Sequence, residues 1–236
     1  MYYDFHCHIL PGIDDGAADV GMSVRMLDMQ KKCGVGKIVA TPHFYLSEQS
    51  IESFIDNRRA AFEKIRMQAA DRGIELILGA EVLFTESLAD RDLTKLCIGN
   101  TKYMLIELPY IKLSGRFIRS FRSFAGSIYP DILLILAHAE RYLNFTDEED
   151  IYEIIGNDML VQLNCGSFKA FSPHRKFLFD LLEYNMAHFL GTDCHNVTSR
   201  PPNLDIAMKA IRKKASPECF DRLMKNAETV ISGGIV

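Results

Sequence analysis

The sequence predicts an α/β fold in the form of a parallel barrel, and three observations carry that expectation. Short apolar runs alternate with longer helical patterns along the 236 residues. The intervening lengths suit helical crossovers between parallel strands. A potential metal ligand stands at or just past the end of six of the seven runs, and in a parallel barrel such positions converge on one face.

The expected strands are 2–5, 37–40, 75–79, 103–106, 132–137, 160–163 and 188–191, each a short run bounded by polar or turn residues. Helical patterns cover 20–32, 51–72, 115–127, 147–157, 173–184, 204–214 and 217–232, with a shorter helix expected over 86–96. A closed or nearly closed barrel accommodates this number of units. No Pro/Gly-rich linker, low-complexity tract or internal repeat interrupts the chain, so one domain over residues 1–236 is expected.

Composition removes several function classes. With 27 Lys+Arg against 31 Asp+Glu, the formal charge of -4 leaves no broad basic surface for a nucleic-acid backbone. The 48% apolar and 25% charged residues are the balance of an ordinary folded domain. The start, Met1-Tyr2-Tyr3-Asp4, has no basic-then-apolar leader, and no apolar run is long enough to cross a bilayer. A cytoplasmic protein without direct membrane insertion is the expectation. Cys7, Cys33, Cys97, Cys165, Cys194 and Cys219 are scattered without a CxxC pair and are expected to be reduced thiols.

The chemistry lies in the residues at the strand ends. His6-Cys7-His8 and Asp193-Cys194-His195 each place two ligand side chains two residues apart, on the same side of an extended chain, with the cysteine facing away. His43 comes after Pro42, whose ring stiffens the backbone that presents the imidazole. Glu81 and Glu107 end apolar segments, where an isolated carboxylate needs a cation or good donors. His138 comes directly after the run 132–137. Asp14-Asp15 stands behind the turn-like Pro11-Gly12-Ile13; either carboxylate caps the next helix or extends over the same face, and Asp14 is the candidate ligand.

Five imidazoles and three carboxylates exceed the needs of one catalytic ion, which argues for two metals, and Asp14 makes three feasible. The mixed N/O donor set suits manganese, iron or zinc. Arg141 and Arg200, close behind His138 and His195, suit the oxygens of a phosphoryl group. Phosphoester hydrolysis is therefore the leading chemistry. Phe44, Tyr45, Tyr110 and Phe117 lie in post-strand segments and either wall an aromatic leaving group or simply pack. His174 and His188 lack comparable surroundings and read as structural.

Cys194 to Arg200 has the Cys-x5-Arg spacing of thiol phosphatases. The segment has no glycine to turn backbone N–H groups inward, and Asp193 is the wrong neighbour for a thiolate. Catalysis by Cys194 is rejected on these grounds.

The segments 4–16, Ala40-Thr41-Pro42-His43, Gly79-Ala80-Glu81-Val82, Glu107-Leu108-Pro109, Ala137-His138-Ala139-Glu140-Arg141, Gln162-Leu163-Asn164 and Asp193-Cys194-His195-Asn196 resemble the polymerase-and-histidinol-phosphatase (PHP) family. The nearest likeness is to bacterial manganese-dependent protein-tyrosine phosphatases of capsule and exopolysaccharide operons. The resemblance implies a distorted TIM-like (β/α)7 barrel with a trinuclear centre. It implies His6, His8, Glu81 and Asp193 on one ion, Glu81, Glu107 and His138 on a second, and Asp14, His43 and His195 on a third. Manganese(II) is the favoured ion, with iron or zinc as alternatives, and Arg141 and Arg200 would hold phosphate. The implied reaction is attack of a metal-bridging hydroxide on phosphotyrosine. The implied partner is the tyrosine-rich tail of a bacterial polysaccharide tyrosine autokinase. A PHP-type phosphoesterase acting on a small molecule such as histidinol phosphate is the alternative. Ala139 departs from the family's usual proline, without removing a ligand.

Overall fold

The computed structural model describes residues 1–156 and 158–236. Its strands are β1 (Tyr2–Cys7), β2 (Val35–Ala40), β3 (His43–Phe44), β4 (Glu75–Leu78), β5 (Glu81–Leu83), β6 (Tyr103–Glu107), β7 (Leu133–Leu136), β8 (Leu160–Asn164) and β9 (Phe189–Gly191). Every pairing between them is parallel. The order β1-β2-β4 continues as β3-β5-β6-β7-β8-β9, so β2/β3 and β4/β5 are two staves, each broken once.

The seven expected strands are thus seven staves, two of them interrupted once. Pro42 lacks an N–H at the first break. Gly79-Ala80 makes the second, yet Glu81 N donates to Pro42 O at 3.0 Å and keeps the staves in register. Closure comes at a seam between β1 and the chain just past β9. There Cys7 and Cys194 form a parallel bridge. Asp193 N donates to His6 O at 2.7 Å, and His8 N donates to Cys194 O at 3.0 Å.

Beneath this seam the Asp4 carboxylate accepts from the backbone of Thr192 at 2.8 Å and of His6 at 3.3 Å, from the Thr192 hydroxyl at 2.5 Å and from the Gln30 amide. Four donors make a buried charge tolerable. The Cys7 and Cys194 Sγ atoms stand 3.1 Å apart and are fully buried, facing away from the ligands as the period-two pattern requires.

The helices are α1 (Val20–Lys32), α2 (Ile51–Glu63), α3 (Arg66–Ala70), α4 (Gly115–Ile128), α5 (Glu148–Ile155), α6 (Arg175–Glu183), α7 (Leu204–Lys214) and α8 (Pro217–Ile231). Three begin at side-chain caps: Asp19 accepts from Met22 N, Ser50 from Ser53 N and Ser114 from Phe117 N. Helix α4 buries Ile118, Phe121 and Phe124 on one stripe, and Phe84 meets both of those phenylalanines. All five residues of β6 are buried, as expected of a strand covered on both faces.

Two helical expectations are corrected. The pattern 51–72 breaks between α2 and α3, where Lys64 N and Ile65 N bond three residues back and Ile65 enters the core. The segment 86–96 holds only short 3₁₀ turns, because Asp92 accepts from both the N–H and the hydroxyl of Thr94 and fixes a local turn instead. Asn157, the expected end of the 147–157 helix, lies outside the described residues.

Candidate metal centre

The C-terminal ends of the staves meet at one pocket. His6 Nε2 lies 3.0 Å from His8 Nε2, 3.1 Å from Glu81 Oε2 and 3.5 Å from Asp193 Oδ1. His8 Nε2 is 3.1 Å from the same Glu81 oxygen and 3.4 Å from the same Asp193 oxygen. Ligands about 2.1 Å from a tetrahedral ion stand about 3.4 Å from one another, so these four atoms have the separation of a coordination shell.

Two further groups share members with it. Glu81 Oε1 is 2.7 Å from His138 Nε2, which is 3.4 Å from Glu107 Oε1. His43, Glu81 and Glu107 converge as well. On the other side His8, Asp15, His43 and His195 converge, with Asp15 Oδ1 at 3.4 Å from His43 Nε2 and 3.3 Å from His195 Nε2.

In this last group the carboxylate is that of Asp15, while Asp14, the ligand candidate of the sequence, stands behind His8 and His43. Asp14 accepts from His8 Nδ1 at 2.7 Å, from the His43 backbone at 3.1 Å and from the Gly16 backbone at 2.9 Å. Both of its oxygens are engaged by the protein. Gly16 is required here, because a Cβ would strike the carbonyl and Cβ of His8. Gly191 is needed for the same reason beneath His6 and Gln162.

The imidazoles are aimed from behind. His6 Nδ1 donates to Gln162 Oε1 at 3.0 Å, His8 Nδ1 to Asp14 and His195 Nδ1 to the Asp193 carbonyl at 3.0 Å. With Nδ1 bonded behind, each Nε2 is the nitrogen turned toward the pocket, where it would offer its lone pair to a bound cation. Gln162 also accepts from the His138 backbone at 2.9 Å, so one buried amide orients ligands from two staves. The sequence gives no direct sign of this task; the only signal is a polar amide inside an apolar strand.

His138 and Asp193 adopt φ of 32° and 50°, a strained conformation for residues with side chains. The surrounding hydrogen bonds hold both, and both point a ligand atom inward.

The donor set fits bound cations on electrostatic grounds too. Burial alone would raise Glu81 and Asp193, but in both His6 and His8 outweigh it, with His138 adding to Glu81 and Arg141 to Asp193, and hold them well below the usual carboxylate range. Burial would lower His8 and His138, yet the carboxylates drive His8 well up and His138 to about 9. The pocket demands positive charge. Glu81 Oε2, His43 Nδ1 and His195 Nε2 are buried with no hydrogen-bond partner, as atoms reserved for an ion would be.

Arg141 and Arg200 reach the opposite oxygen of Asp193, Arg200 at 2.6 Å, and Asn164 Nδ2 donates to it at 3.0 Å. The Arg200 segment is shaped by Asn196, whose side-chain oxygen accepts from the backbone of Thr198, Ser199 and Arg200. Both guanidinium groups line a cavity of about 430 Å³ together with Asp15, Glu81 and Glu107. A larger cavity of about 910 Å³ opens at the other end, near Tyr103, Leu133, Leu160 and His188, and holds none of the candidate ligands. The donor convergence, not the volume, locates the chemistry.

Of the aromatic candidates, Tyr45 and Tyr110 line the ligand cavity. Phe44 is fully buried in the core and Phe117 meets Phe84 edge-on, so both pack. His174 bonds Asn144 at 2.8 Å and His188 accepts from Val161 N at 3.1 Å, structural roles in each case.

A parallel barrel that collects imidazoles and buried carboxylates where its strands end defines a class: barrel proteins with a metal-binding pocket at the C-terminal face. Within that class the chain belongs to the family described as capsular polysaccharide synthesis, CpsB/CapC, which matches residues 2–232. The tyrosine-protein phosphatase YwqE of Bacillus subtilis (strain 168) is 30% identical over 243 residues, covering 97% of this chain and 91% of that protein. The tyrosine-protein phosphatase CpsB of Streptococcus agalactiae serotype III is 26% identical over 239 residues, covering 97% of each. A crystal structure among those of YwqE from Bacillus subtilis and CpsB from Streptococcus pneumoniae, metal-dependent tyrosine phosphatases, has the same fold. Its TM-score is 0.84 at 24% identity, with 99% of this chain and 96% of that chain covered. Among the described residues no helix is long and apolar enough to cross a membrane.

Proposed function

We propose that the chain, as one PHP-type domain over residues 1–236, is a metal-dependent protein-tyrosine phosphatase of capsule or exopolysaccharide synthesis. The observation that carries this reading is the shared Glu81, which touches His6, His8, His43 and His138 within 3.1 Å and so links the three donor groups. Three manganese(II) ions are the proposed occupants, held by His6, His8, Asp15, His43, Glu81, Glu107, His138, Asp193 and His195. Bound divalent ions supply a water of lowered pKa and concentrated positive charge for the phosphoryl oxygens.

The chain's own residues do the rest. Gln162 and Asp14 fix the imidazole tautomers. Arg141 and Arg200 donate to the phosphoryl oxygens bidentately, a geometry to which planar guanidinium groups are suited. Asn164 and both arginines contact the outer oxygen of Asp193. Cys194 takes no part, since its sulfur faces Cys7 beneath the seam. The proposed substrate is the phosphotyrosine-bearing tail of a bacterial tyrosine autokinase, met in the cytoplasm.

The test is phosphate release from a phosphotyrosyl peptide. Activity is expected to vanish on stringent chelation, to return with manganese and to persist in Cys194→Ser. A stripped protein that stays fully active, with an inactive Cys194→Ser variant, overturns the proposal.

A further inference from the structure

We infer that Tyr45 and Tyr110 form an aromatic clamp that selects an aryl over an alkyl phosphate ester; this rests on the phosphatase reading above. The cavity has a buried acidic floor, and its more exposed rim carries aromatic rings beside Asp15, Arg141 and Arg200. On the floor Glu81 and Asp193 are 1% and 2% exposed, with Arg141 and Arg200 beside them. Toward the mouth Tyr110 is 38% exposed and Tyr45 half-buried, and Leu83, Leu108 and Pro109 add apolar surface to the lining.

The two rings stand on different staves on either side of β5. Tyr45 follows β3 and lies against the His43 ring, centroids 5.3 Å apart and planes at 21°. Tyr110 follows β6, with its ring 5.9 Å from His138 at 30°. Each tyrosine therefore extends an imidazole surface outward from the donor groups toward solvent.

The Tyr110 wall is set before any ligand arrives. Tyr110 is backed by Tyr142 at 5.9 Å and Phe145 at 5.5 Å, and the Tyr142 hydroxyl accepts from Leu108 N at 2.9 Å, tying that support to the lining. The Tyr110 hydroxyl lies 3.4 Å from Arg141 Nη1, so the apolar wall and the anion-holding group are fixed to each other. A phosphoryl group held at Arg141 and Arg200 puts the ring of a phosphotyrosine between these apolar surfaces. A phosphoserine, one carbon long at the ester, leaves them unfilled. Ring-on-ring contact and area burial then reward the aryl substrate alone.

The experiment compares manganese-loaded wild type with Tyr45→Leu, Tyr110→Leu, the double variant, and Tyr45→Phe and Tyr110→Phe. Phosphotyrosyl and phosphoseryl peptides of one sequence are the substrates. Binding of a peptide bearing non-hydrolysable phosphonomethyl-phenylalanine is measured by calorimetry. Each leucine variant is expected to lose about tenfold in kcat/KM on the aryl substrate, carried by KM. The double variant is expected to lose about a hundredfold, with the same loss in phosphonate affinity; each phenylalanine variant, which keeps the ring, is expected to recover most of the affinity that its leucine counterpart loses, Tyr110→Phe less completely because it also gives up the hydroxyl at Arg141. Any phosphoseryl turnover is expected to be unchanged. Leucine variants that keep aryl KM and phosphonate affinity overturn the clamp while the phosphatase reading stands. A loaded wild type that cleaves no phosphotyrosyl peptide overturns both.

Discussion

Replacing the two neighbouring aspartates one at a time separates a residue that holds a ligand from one that is a ligand. Asp14→Ala removes acceptors at 2.7 Å from His8 Nδ1, 3.1 Å from His43 N and 2.9 Å from Gly16 N. The first is charge-assisted, since Asp14 is held down to about 2: burial opposes this, and the His8 bond and charge outweigh it. A bond of that kind contributes about 1.5–3 kcal/mol, which converts to roughly 10–100-fold in ion affinity, the usual effect of losing a partner behind a metal-bound imidazole. Manganese titration followed by elemental analysis should show Asp14→Ala binding as many ions as wild type at saturation, with a half-saturation point 10–100-fold higher, and kcat largely recovered there. Asp15→Ala should bind one ion fewer at any concentration. The opposite pattern, a missing ion in Asp14→Ala and full loading in Asp15→Ala, would refute the placement of these side chains.

The same geometry sets other outcomes. Arg141→Ala and Arg200→Ala should each lower kcat/KM on a phosphotyrosyl peptide by about a hundredfold, the scale of losing one oxyanion-stabilising group, with manganese content unchanged. Manganese at 100 times its dissociation constant should stabilise the fold by about 2.7 kcal/mol, raising Tm by roughly 5–10 °C for a chain of this size; a Tm indifferent to manganese would count against the centre. His188, pushed down to about 4 by burial and Arg222, accepts from Val161 N and must be neutral to do so. Its folded pKa lies below its unfolded one, so the stabilisation is full above about pH 6.5 and is lost as pH falls toward 4. Urea midpoints should therefore record a loss of about 2 kcal/mol between pH 7 and pH 5 in wild type, and a clearly smaller one in His188→Gln.

Much of the centre is legible in the sequence because a parallel barrel converts a one-dimensional pattern into a shared location. His6, His8, Glu107, His138, Asp193 and His195 each stand at or just past a strand end, Glu81 opens β5 just beyond the break in its stave, and a period-two rule suffices to aim the paired ones. Asp14 and Asp15 defeat that rule, because they sit in a turn where neighbouring side chains diverge according to backbone angles no pattern encodes. The stave breaks at Pro42 and Gly79 are visible as residue types but not as breaks, since ladders on either side stay in register. The interruption near Ile65 has no signal at all: the apolar spacing runs through it, and only core packing turns the chain there. The orienting role of Gln162 is hidden because its partners, His6 and the His138 backbone, lie on other staves.

The bridge from Cys7 to Cys194 spans 187 residues of chain. Until the final stave has been synthesised and docked, the first pair of histidines has no Asp193 opposite it, and the cation cradle exists only as two halves. Such distant closure is slow to form, so an ion captured there certifies a finished polypeptide: a nascent or C-terminally clipped chain would be not merely unstable but unable to become an enzyme.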